Sequence, residues 1–279
     1  MSTDKISQVK TLDQGTGKPV VVLIHGLCCA PADYQWHIDA LSKSHRVIAP
    51  TLRGHDHDND SDSDTKSSEL TIEQLSADVA QLLKEKNITN AVLCGHSLGV
   101  RVVLETHRQV PDRVAGMVFL DGSNSVANNL DAVLEAFGNA TENGKIKPWI
   151  QGLFKEMFLP GKFTDNLAMY QQRITDMPDA NLSSLYRNLI IWDGKQFIPQ
   201  LKTLADKPVL VVQSTIRATV GSRRSLEHGE IGAFPQQIAE NHPDTTVITY
   251  ANCSHFLNLD EPERLLSDIS LWMTEKGLS

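Results

Sequence analysis

The sequence predicts an α/β fold, in which a mostly parallel β-sheet is flanked by helices. Two observations lead to this prediction. Short runs rich in Val, Ile and Leu recur along the 279 residues, and they are followed by glycine-containing turns and by segments with helical periodicity. Continuous apolar runs are typical of strands buried on both faces, as in parallel sheets covered by helices.

The elements follow in chain order. Residues 6–18 are expected to form an antiparallel hairpin at the sheet edge. Six later runs predict strands: PVVVLIHG, HRVIAP, AVLCGHS, VAGMVFLDG, PVLVVQS and TTVITYA. Helical periodicity predicts helices over residues 71–87, 97–109, 233–241 and 261–275. Pro262 suits the start of the last of these, because a first-turn proline loses no helical hydrogen bond.

Residues 125–205 differ from the rest of the chain. They contain helical patches without a clear strand, and they are rich in aromatic residues. We interpret them as a helical cap inserted between two strands of a core domain made of residues 1–124 and 206–279. Four side chains are candidates for lining an apolar substrate pocket, although packing within the cap is an equal alternative: Trp149, Phe154, Phe158 and Trp192.

The charge excludes some classes of partner. The formal net charge is −8 and no basic cluster is evident, so neither nucleic acid nor an anionic membrane surface is an expected partner. A small-molecule substrate is favoured instead. The first residues lack the apolar core of a signal peptide and no apolar run is long enough to cross a bilayer, which predicts a cytoplasmic protein. No oligomeric state is predicted.

No metal or other cofactor is expected. Four cysteines lack the spacing of metal ligands, and we interpret them as small buried residues in a reducing compartment: Cys28, Cys29, Cys94 and Cys253. The acidic segment at residues 58–69 matches several oxygen positions of a calcium loop, but Ser63 stands where the sharp turn needs glycine. We interpret it as a solvated loop.

A candidate nucleophile lies in the stretch VLCGHSLGV. Ser97 stands there between Gly95 and Gly99, at a predicted junction of strand and helix. Such a sharp turn lifts the hydroxyl clear of the sheet, and the glycines remove the Cβ atoms that would collide there. The helix that follows directs its amide groups towards an oxyanion formed on an attacked carbonyl.

A candidate base and a candidate oxyanion hole complete the pattern. His255 lies in a loop between the last predicted strand and the last helix, where loops at the carboxyl ends of strands converge, so it is expected to meet Ser97. The amides of Leu27 and Leu98 are the predicted oxyanion donors. His25 and His96, which lie within the motifs, are interpreted as structural.

Four motifs in this order resemble the α/β-hydrolase superfamily: HG at residues 25–26 followed by Trp36, LRGH at 52–55, GHSLG at 95–99 and CSHFLNLDEPE at 253–263. The resemblance covers nearly the whole chain. It implies an eight-stranded sheet with a helical cap inserted after strand six, which agrees with the insertion inferred above.

The usual acid of this family is missing. In most relatives a carboxylate follows strand seven, whereas here Arg217 occupies that position. Asp121, at the end of strand six, is the predicted substitute, in a position similar to that used by some haloalkane dehalogenases and by the cofactor-independent quinolone 2,4-dioxygenases. Two alternatives remain: Asp121 caps a turn, or Asp193 in the insertion is the acid. Arg217, Arg223 and Arg224 are interpreted as solvated.

The predicted activity is that of a serine hydrolase with the triad Ser97, His255 and Asp121. It would cleave an ester or lactone of a small to medium, largely apolar substrate through an acyl-enzyme. One alternative is cofactor-independent dioxygenase chemistry on a 3-hydroxy-4-quinolone ring, in which the His-Asp pair deprotonates the substrate. Another is a ligand receptor on the hydrolase fold with little turnover.

Overall fold

The computed structural model describes residues 9–55, 70–124, 126, 129–204, 207–219 and 222–278. The acidic segment at 58–69 lies outside the described residues. So do the start of the predicted edge hairpin and the boundary residues 125 and 205–206 of the predicted cap.

Nine strands are present in the described part of the chain. They are β1 (Thr11–Gln14), β2 (Val20–Ile24), β3 (Arg46–Pro50), β4 (Ala91–His96), β5 (Val114–Leu120), β6 (Val209–Gln213), β7 (Thr215–Thr219), β8 (Ser222–Ser225) and β9 (Thr246–Thr249). Seven of them form one sheet in the order β1-β3-β2-β4-β5-β6-β9. Only β1 is antiparallel to its neighbour there. Strands β7 and β8 form a separate antiparallel hairpin.

All six apolar runs are strands of the main sheet, so the predicted mostly parallel α/β architecture is confirmed. The described residues supply seven of the eight strands that the resemblance implies. The strand expected as the family's sixth is β5 in this numbering, and the expected seventh is β6. The β7–β8 hairpin was not predicted.

Eleven α-helices lie in the described residues. They are α1 (Gln35–Leu41), α2 (Ile72–Glu85), α3 (Leu98–Gln109), α4 (Leu130–Thr141), α5 (Ile146–Glu156), α6 (Thr164–Asp176), α7 (Asp179–Lys195), α8 (Phe197–Leu201), α9 (Ala233–Asn241), α10 (Leu257–Asp260) and α11 (Pro262–Glu275). The four helices predicted from periodicity correspond to α2, α3, α9 and α11. Thr71 begins α2, since its hydroxyl accepts a hydrogen bond from the Gln74 amide at 3.1 Å.

The sheet separates two apolar cores. Side chains alternate along each strand, so Val22 and Ile24 of β2 pack in the core beneath α2 and α3. Val21 and Leu23 of the same strand face the opposite core, beneath α1 and α11. Burial on both faces explains why the strands read as unbroken apolar runs rather than as alternating ones.

Helices α4–α8, here called the inserted helices, lie between β5 and β6 in the chain. They are joined to α3 by buried polar contacts. Arg101 on α3 forms an ion pair with Asp193 on α7 at 2.7 Å, and Gln200 on α8 donates to the Glu105 carboxylate at 2.8 Å. Because α3 begins directly after Ser97, these contacts hold the inserted helices over the end of the sheet where Ser97 lies. Across the described segments, every helix is too short or too polar to traverse a lipid bilayer.

Candidate active site

Ser97 occupies a strained turn between β4 and α3. Its φ is 55° and its ψ is −112°, an unusual conformation for a residue other than glycine. The flanking glycines permit this turn, because a Cβ on Gly95 would lie 2.4 Å from the Gly99 carbonyl oxygen. A Cβ on Gly99 would lie 2.3 Å from the carbonyl oxygen of Ile24 on β2. The turn therefore packs backbone against backbone at the centre of the sheet.

His255 and Asp121 form a buried pair beside this turn. Asp121 directly follows β5 with a φ of 41°, and His255 lies in the loop between β9 and α10. The imidazole Nδ1 is 2.5 Å from Asp121 Oδ2, and the two side chains are 2% and 0% exposed. The backbone amide of His255 also donates to the carbonyl of Met157, at the end of α5, at 3.0 Å. The inserted helices thus help to position the imidazole.

The loop after β6, where the usual acid is absent, supplies hydrogen-bond donors to Asp121. The amides of Ser214 and Thr215 both donate to Asp121 Oδ1 at 2.8 Å, and the Thr215 hydroxyl donates to Oδ2 at 2.5 Å. Arg223 on β8 donates to Oδ2 at 2.9 Å. A carboxylate held by so many donors, some of them backbone amides, is fixed in both position and charge.

Burial and neighbouring charges determine the protonation state of the Asp121–His255 pair. Burial alone would raise the pKa of Asp121, but hydrogen bonds and charges from His255, Arg223 and Thr215 lower that pKa to about 2. Asp121 is therefore ionised and can only accept, so His255 Nδ1 carries the proton and its Nε2 is an acceptor. Burial, together with the charge of Arg223, outweighs Asp121 and lowers the pKa of His255 to about 4. The imidazole is neutral at pH 7, as a general base must be.

Ser97 and His255 line the same cavity, which encloses about 670 Å³ of empty space including its open side. Among the described residues, no hydrogen bond joins the two side chains. In enzymes without bound substrate such bonds are often long and tighten in the complex. Much of the remaining lining is apolar or basic: Ile150, Leu153, Phe154, Met157, Leu189 and Phe256 are apolar, and Arg101, Arg217 and Arg223 are basic. Ser123 and Tyr186 add hydroxyl groups to the lining.

The predicted oxyanion donors lie next to Ser97. The turn after β2 approaches so closely that a Cβ on Gly26 would be 3.2 Å from the Ser97 Cβ. Leu27 follows in this turn and lines the cavity. Leu98 is the first residue of α3, whose first-turn amides have no partner within the helix and carry its positive dipole end.

His25 and His96 have structural contacts, as expected from the motifs. The Leu52 amide donates to His25 Nε2 at 3.0 Å, which connects the turn after β2 to the turn after β3. His96 Nε2 lies 3.0 Å from the carbonyl oxygen of His255, and because a carbonyl only accepts, this nitrogen is the donor. The two imidazole rings lie 4.5 Å apart between centroids, so His96 supports the loop that carries His255.

Of the four aromatic residues predicted to bind substrate, one lines the cavity. Phe154 lines the cavity, whereas Trp149, Phe158 and Trp192 are absent from the lining among the described residues. Phe158 stacks on Phe256 at 4.5 Å, and Trp149 packs edge-on against Tyr186 at 4.8 Å. Both side chains pack behind the residues that line the cavity.

Trp192 is 1% exposed, and its indole Nε1 donates to Glu105 at 3.4 Å. Trp192 therefore joins α7 to α3 and does not line this cavity.

Two arginines at the site were misjudged from the sequence. Arg223 is not solvated: its side chain is 7% exposed and forms an ion pair with Asp121 at 2.9 Å. Arg217 is half-buried and donates to the Tyr186 hydroxyl at 3.1 Å. Arg224 is exposed and pairs with Glu230 at 2.6 Å, which agrees with solvation. The one sequence signal for a role of these arginines in the site is that they lie near the position where the usual acid is missing.

Arg101 and Asp193 form a second buried pair at the cavity wall. The guanidinium binds both carboxylate oxygens, at 2.9 and 2.7 Å, and also donates to the carbonyls of Ser97, at 3.0 Å, and Ser123. Asp193 is therefore a partner of Arg101, and the carboxylate on the imidazole of His255 is that of Asp121. Within the described ranges, no group of three or more His, Cys, Asp or Glu side chains is arranged to hold a metal ion.

The mostly parallel sheet thus carries a serine at a strained strand-to-helix turn beside a buried His-Asp pair. A model of the alpha/beta hydrolase family matches residues 21–268. The chain belongs to this family.

One curated relative is the dihydrolipoyllysine-residue acetyltransferase component of the acetoin cleaving system of Cupriavidus necator. It is 25% identical over 244 residues, which covers 79% of this chain and 63% of that protein. The chain thus spans less than two thirds of the length of this relative.

Solved structures share the fold across almost the whole chain. Est816, described as an N-acyl homoserine lactone degrading enzyme, has a TM-score of 0.74 with 17% identity, covering 94% of this chain and 95% of that one. The enol-lactonase from Burkholderia xenovorans has a TM-score of 0.70 with 18% identity, covering 95% and 96%. At such identities the likeness shows the fold.

Proposed function

We propose that this protein is a serine hydrolase that cleaves a carboxylic ester or lactone of a small to medium, largely apolar substrate. The observation that carries the proposal is the Asp121–His255 pair, 2.5 Å apart, whose imidazole opens onto the same cavity as Ser97. Two of the solved structures of similar fold are named as enzymes that act on lactones, which is consistent with this substrate class.

In the proposed first step, the Ser97 oxygen attacks the carbonyl carbon and its proton passes to His255 Nε2. The amides of Leu27 and Leu98 donate to the oxygen that becomes negative. The tetrahedral intermediate collapses, and the leaving alkoxide takes the proton from the imidazolium. Asp121 keeps the imidazole in the required tautomer and stabilises its positive form during each transfer.

In the second step, His255 removes a proton from water, and the resulting hydroxide attacks the acyl carbon. The bond to the Ser97 oxygen breaks, and the serine regains its proton from His255. For a lactone, the alcohol and the acid stay in one molecule and leave together.

We also propose that residues 125–205 act as a cap over this site. Support comes from Ile150, Leu153 and Phe154 on α5, which line the cavity opposite the sheet. An apolar cover of this kind excludes water from the imidazole and favours an apolar acyl chain. Phe154 is the predicted aromatic that remains a candidate for substrate contact.

A fluorophosphonate probe tests the nucleophile, because it reacts only with an activated serine. We expect stoichiometric labelling of the parent protein and none of Ser97→Ala, with 4-nitrophenyl esters hydrolysed by the parent and not by Ser97→Ala. Ser123→Ala, which alters another serine of the same cavity, is the matched control and should still be labelled. An unlabelled parent that hydrolyses no ester would contradict the proposal and would leave a ligand-binding protein as the better interpretation.

One observation favours a second candidate activity. The acid follows β5, as the resemblance to cofactor-independent quinolone dioxygenases requires. In that chemistry the His255–Asp121 pair would remove a proton from a 3-hydroxy-4-quinolone, and O₂ would cleave the ring. Assays with and without oxygen distinguish the two activities, since ester hydrolysis continues under anaerobic conditions and ring cleavage stops.

A further inference from the structure

The cavity beside Ser97 carries an unbalanced set of charged side chains. Three arginines line it, Arg101, Arg217 and Arg223, whereas no Asp or Glu does so within the described residues. Guanidinium groups on a partly enclosed wall raise the local concentration of anions and bind carboxylates through paired N–H donors.

Two of these arginines have their carboxylate partners behind the wall. Arg101 holds Asp193 with both arms of the guanidinium, and Arg223 holds Asp121. Their side chains are only 3% and 7% exposed. With so little exposed surface, these two arginines chiefly maintain the site.

Arg217 differs from them in position and exposure. It is half-buried on β7, and its Nη2 donates to the Tyr186 hydroxyl at 3.1 Å. Tyr186 comes from α7, so this contact joins the hairpin to the inserted helices across the cavity. Because the hydroxyl accepts from Arg217, its own proton points elsewhere, and no hydrogen bond from it to another described residue is present. A hydroxyl donor beside a guanidinium is a suitable arrangement for binding a carboxylate.

The pKa of Arg223 reflects the closeness of the other two arginines. Burial lowers this pKa, and the charges of Arg217 and Arg101 lower it further, although Asp121 acts in the opposite direction. An anion in the cavity would relieve this repulsion. The apolar wall formed by Leu153, Phe154 and Leu189 suits the methylene chain that leads from the reacting carbonyl to such an anion.

We propose that Arg217 and Tyr186 form a carboxylate subsite, so that the substrate is an ester or lactone whose acyl chain ends in a free carboxylate. This inference deepens the proposed hydrolase function and rests on it. The chain is largely apolar between its two ends, and the carboxylate sets its orientation: the anion binds at Arg217 and the carbonyl lies at Ser97.

Matched esters test the subsite. The mono-4-nitrophenyl ester of adipic acid and 4-nitrophenyl hexanoate have the same chain length and leaving group, and differ only in a terminal carboxylate or methyl. After subtraction of spontaneous hydrolysis, we expect kcat/KM of the parent to favour the adipate ester by about tenfold or more, the range of a charge-assisted pair. Arg217→Met should reduce this preference to about one, and Tyr186→Phe should reduce it by a smaller factor.

Arg224→Met is the control for charge, because Arg224 lies on the same hairpin but pairs with Glu230 at the surface. It should retain the preference of the parent. Equal kcat/KM for the two esters in the parent, or an unchanged preference in Arg217→Met, would overturn the subsite while leaving the hydrolase function in place.

A binding measurement separates the two proposals. In the Ser97→Ala background, calorimetry should show that monomethyl adipate binds at least about tenfold more tightly than methyl hexanoate, and that adding Arg217→Met removes the difference. If the parent hydrolyses no ester but this binding difference is found, the hydrolase function and the ester substrate both fail, and only carboxylate binding at Arg217 is supported. Equal binding of the two ligands would count against the subsite.

Discussion

At the scale of single residues, the Asp121 carboxylate joins several parts of the site. It accepts from the imidazole of His255, from Arg223, and from the amides and hydroxyl at the start of β7. Arg223 and His255 share one carboxylate oxygen, Oδ2. The positive charge of the arginine therefore competes with protonation of the imidazole, which makes Arg223 a positioning residue that also tunes the base.

This competition predicts a pH effect. Burial lowers the pKa of His255, and so do the charges of Arg223 and Arg101, whereas Asp121 raises it. The ring of His96 also lies beside the imidazole, with 4.5 Å between the ring centroids. Arg223→Met should raise the pKa of His255, so the imidazole becomes protonated at higher pH. The acid limb of the kcat/KM profile, measured on a neutral ester, should move upward by about one unit.

Arg224→Met provides the comparison for this experiment. Arg224 is adjacent on β8 but forms its ion pair at the surface, with Glu230, so the profile should stay in place. An Arg223→Met profile identical to that of the parent would show that the arginine only maintains structure. A lower kcat without movement of the acid limb would support the same conclusion.

At the scale of elements, the contact between β2, β4 and α3 depends on glycine. Gly99→Ala would place a methyl group 2.3 Å from the Ile24 carbonyl oxygen, so α3 would have to move away from the sheet. We expect a loss of about 1–3 kcal/mol in the free energy of unfolding, measured by urea titration. Labelling of Ser97 should slow as well, because α3 begins directly after that residue.

The matched control is Gly138→Ala in α4. An added Cβ there meets nothing within 4 Å, so only the helical preference of alanine should be felt. Stability should rise by about 0.5–1 kcal/mol. Similar losses for both variants would show that the close approach at Gly99 does not control stability.

The same scale shows which elements can be predicted from the sequence. The six apolar strands and the four periodic helices were predicted because their signals lie within the elements themselves. A buried strand is an unbroken apolar run, and α2 begins at a capping threonine. The β7–β8 hairpin was missed. Its sequences TIRAT and SRRS are polar, and its position depends on distant contacts, chiefly that between Arg223 and Asp121.

The site divides in the same way. Ser97 and His255 stand in motifs that can be recognised from a few neighbouring residues. The Arg101–Asp193 pair joins residues 92 positions apart, and nothing near either residue specifies the partner. Aromatic content indicated a pocket but did not tell Phe154, which faces it, from Trp192, which packs behind it.

At the scale of the whole molecule, several buried histidines are neutral in the folded state. Burial lowers the pKa of His37 to about 4, that of His96 to about 3 and that of His255 to about 4. In the unfolded chain each imidazole takes up a proton near its ordinary pKa of 6.5. Acid therefore favours the unfolded state.

The sign follows from these values. Above about pH 6.5 the histidines are neutral in both states and have no effect on the pH dependence. As the pH falls from about 6.5 to 4, only the unfolded chain gains protons, so the free energy of unfolding should decrease. Because the pKa of Asp121 is lowered to about 2, its stabilising contribution is lost below about pH 4.

Urea unfolding at pH 7.5, 6.0 and 5.0 would measure this decrease. His37→Gln is the informative variant, since His37 lies in α1 on the opposite side of the sheet from the inserted helices. The slope of the free energy of unfolding against pH reports the number of protons taken up on unfolding, and this number should fall by about one in the variant. A stability that stays constant from pH 7.5 to 5.0 would contradict the prediction.

The position of Asp121, directly after the central strand β5, has a further consequence for how such a molecule can diversify. Because the carboxylate is anchored there, the neighbouring β7–β8 hairpin does not have to supply an acid. Substitution of Arg217 on that hairpin should therefore alter which compounds are accepted, while Arg223 continues to hold Asp121. The proposed selectivity residue, Arg217, is thereby distinct from the two residues proposed to handle the proton, Asp121 and His255.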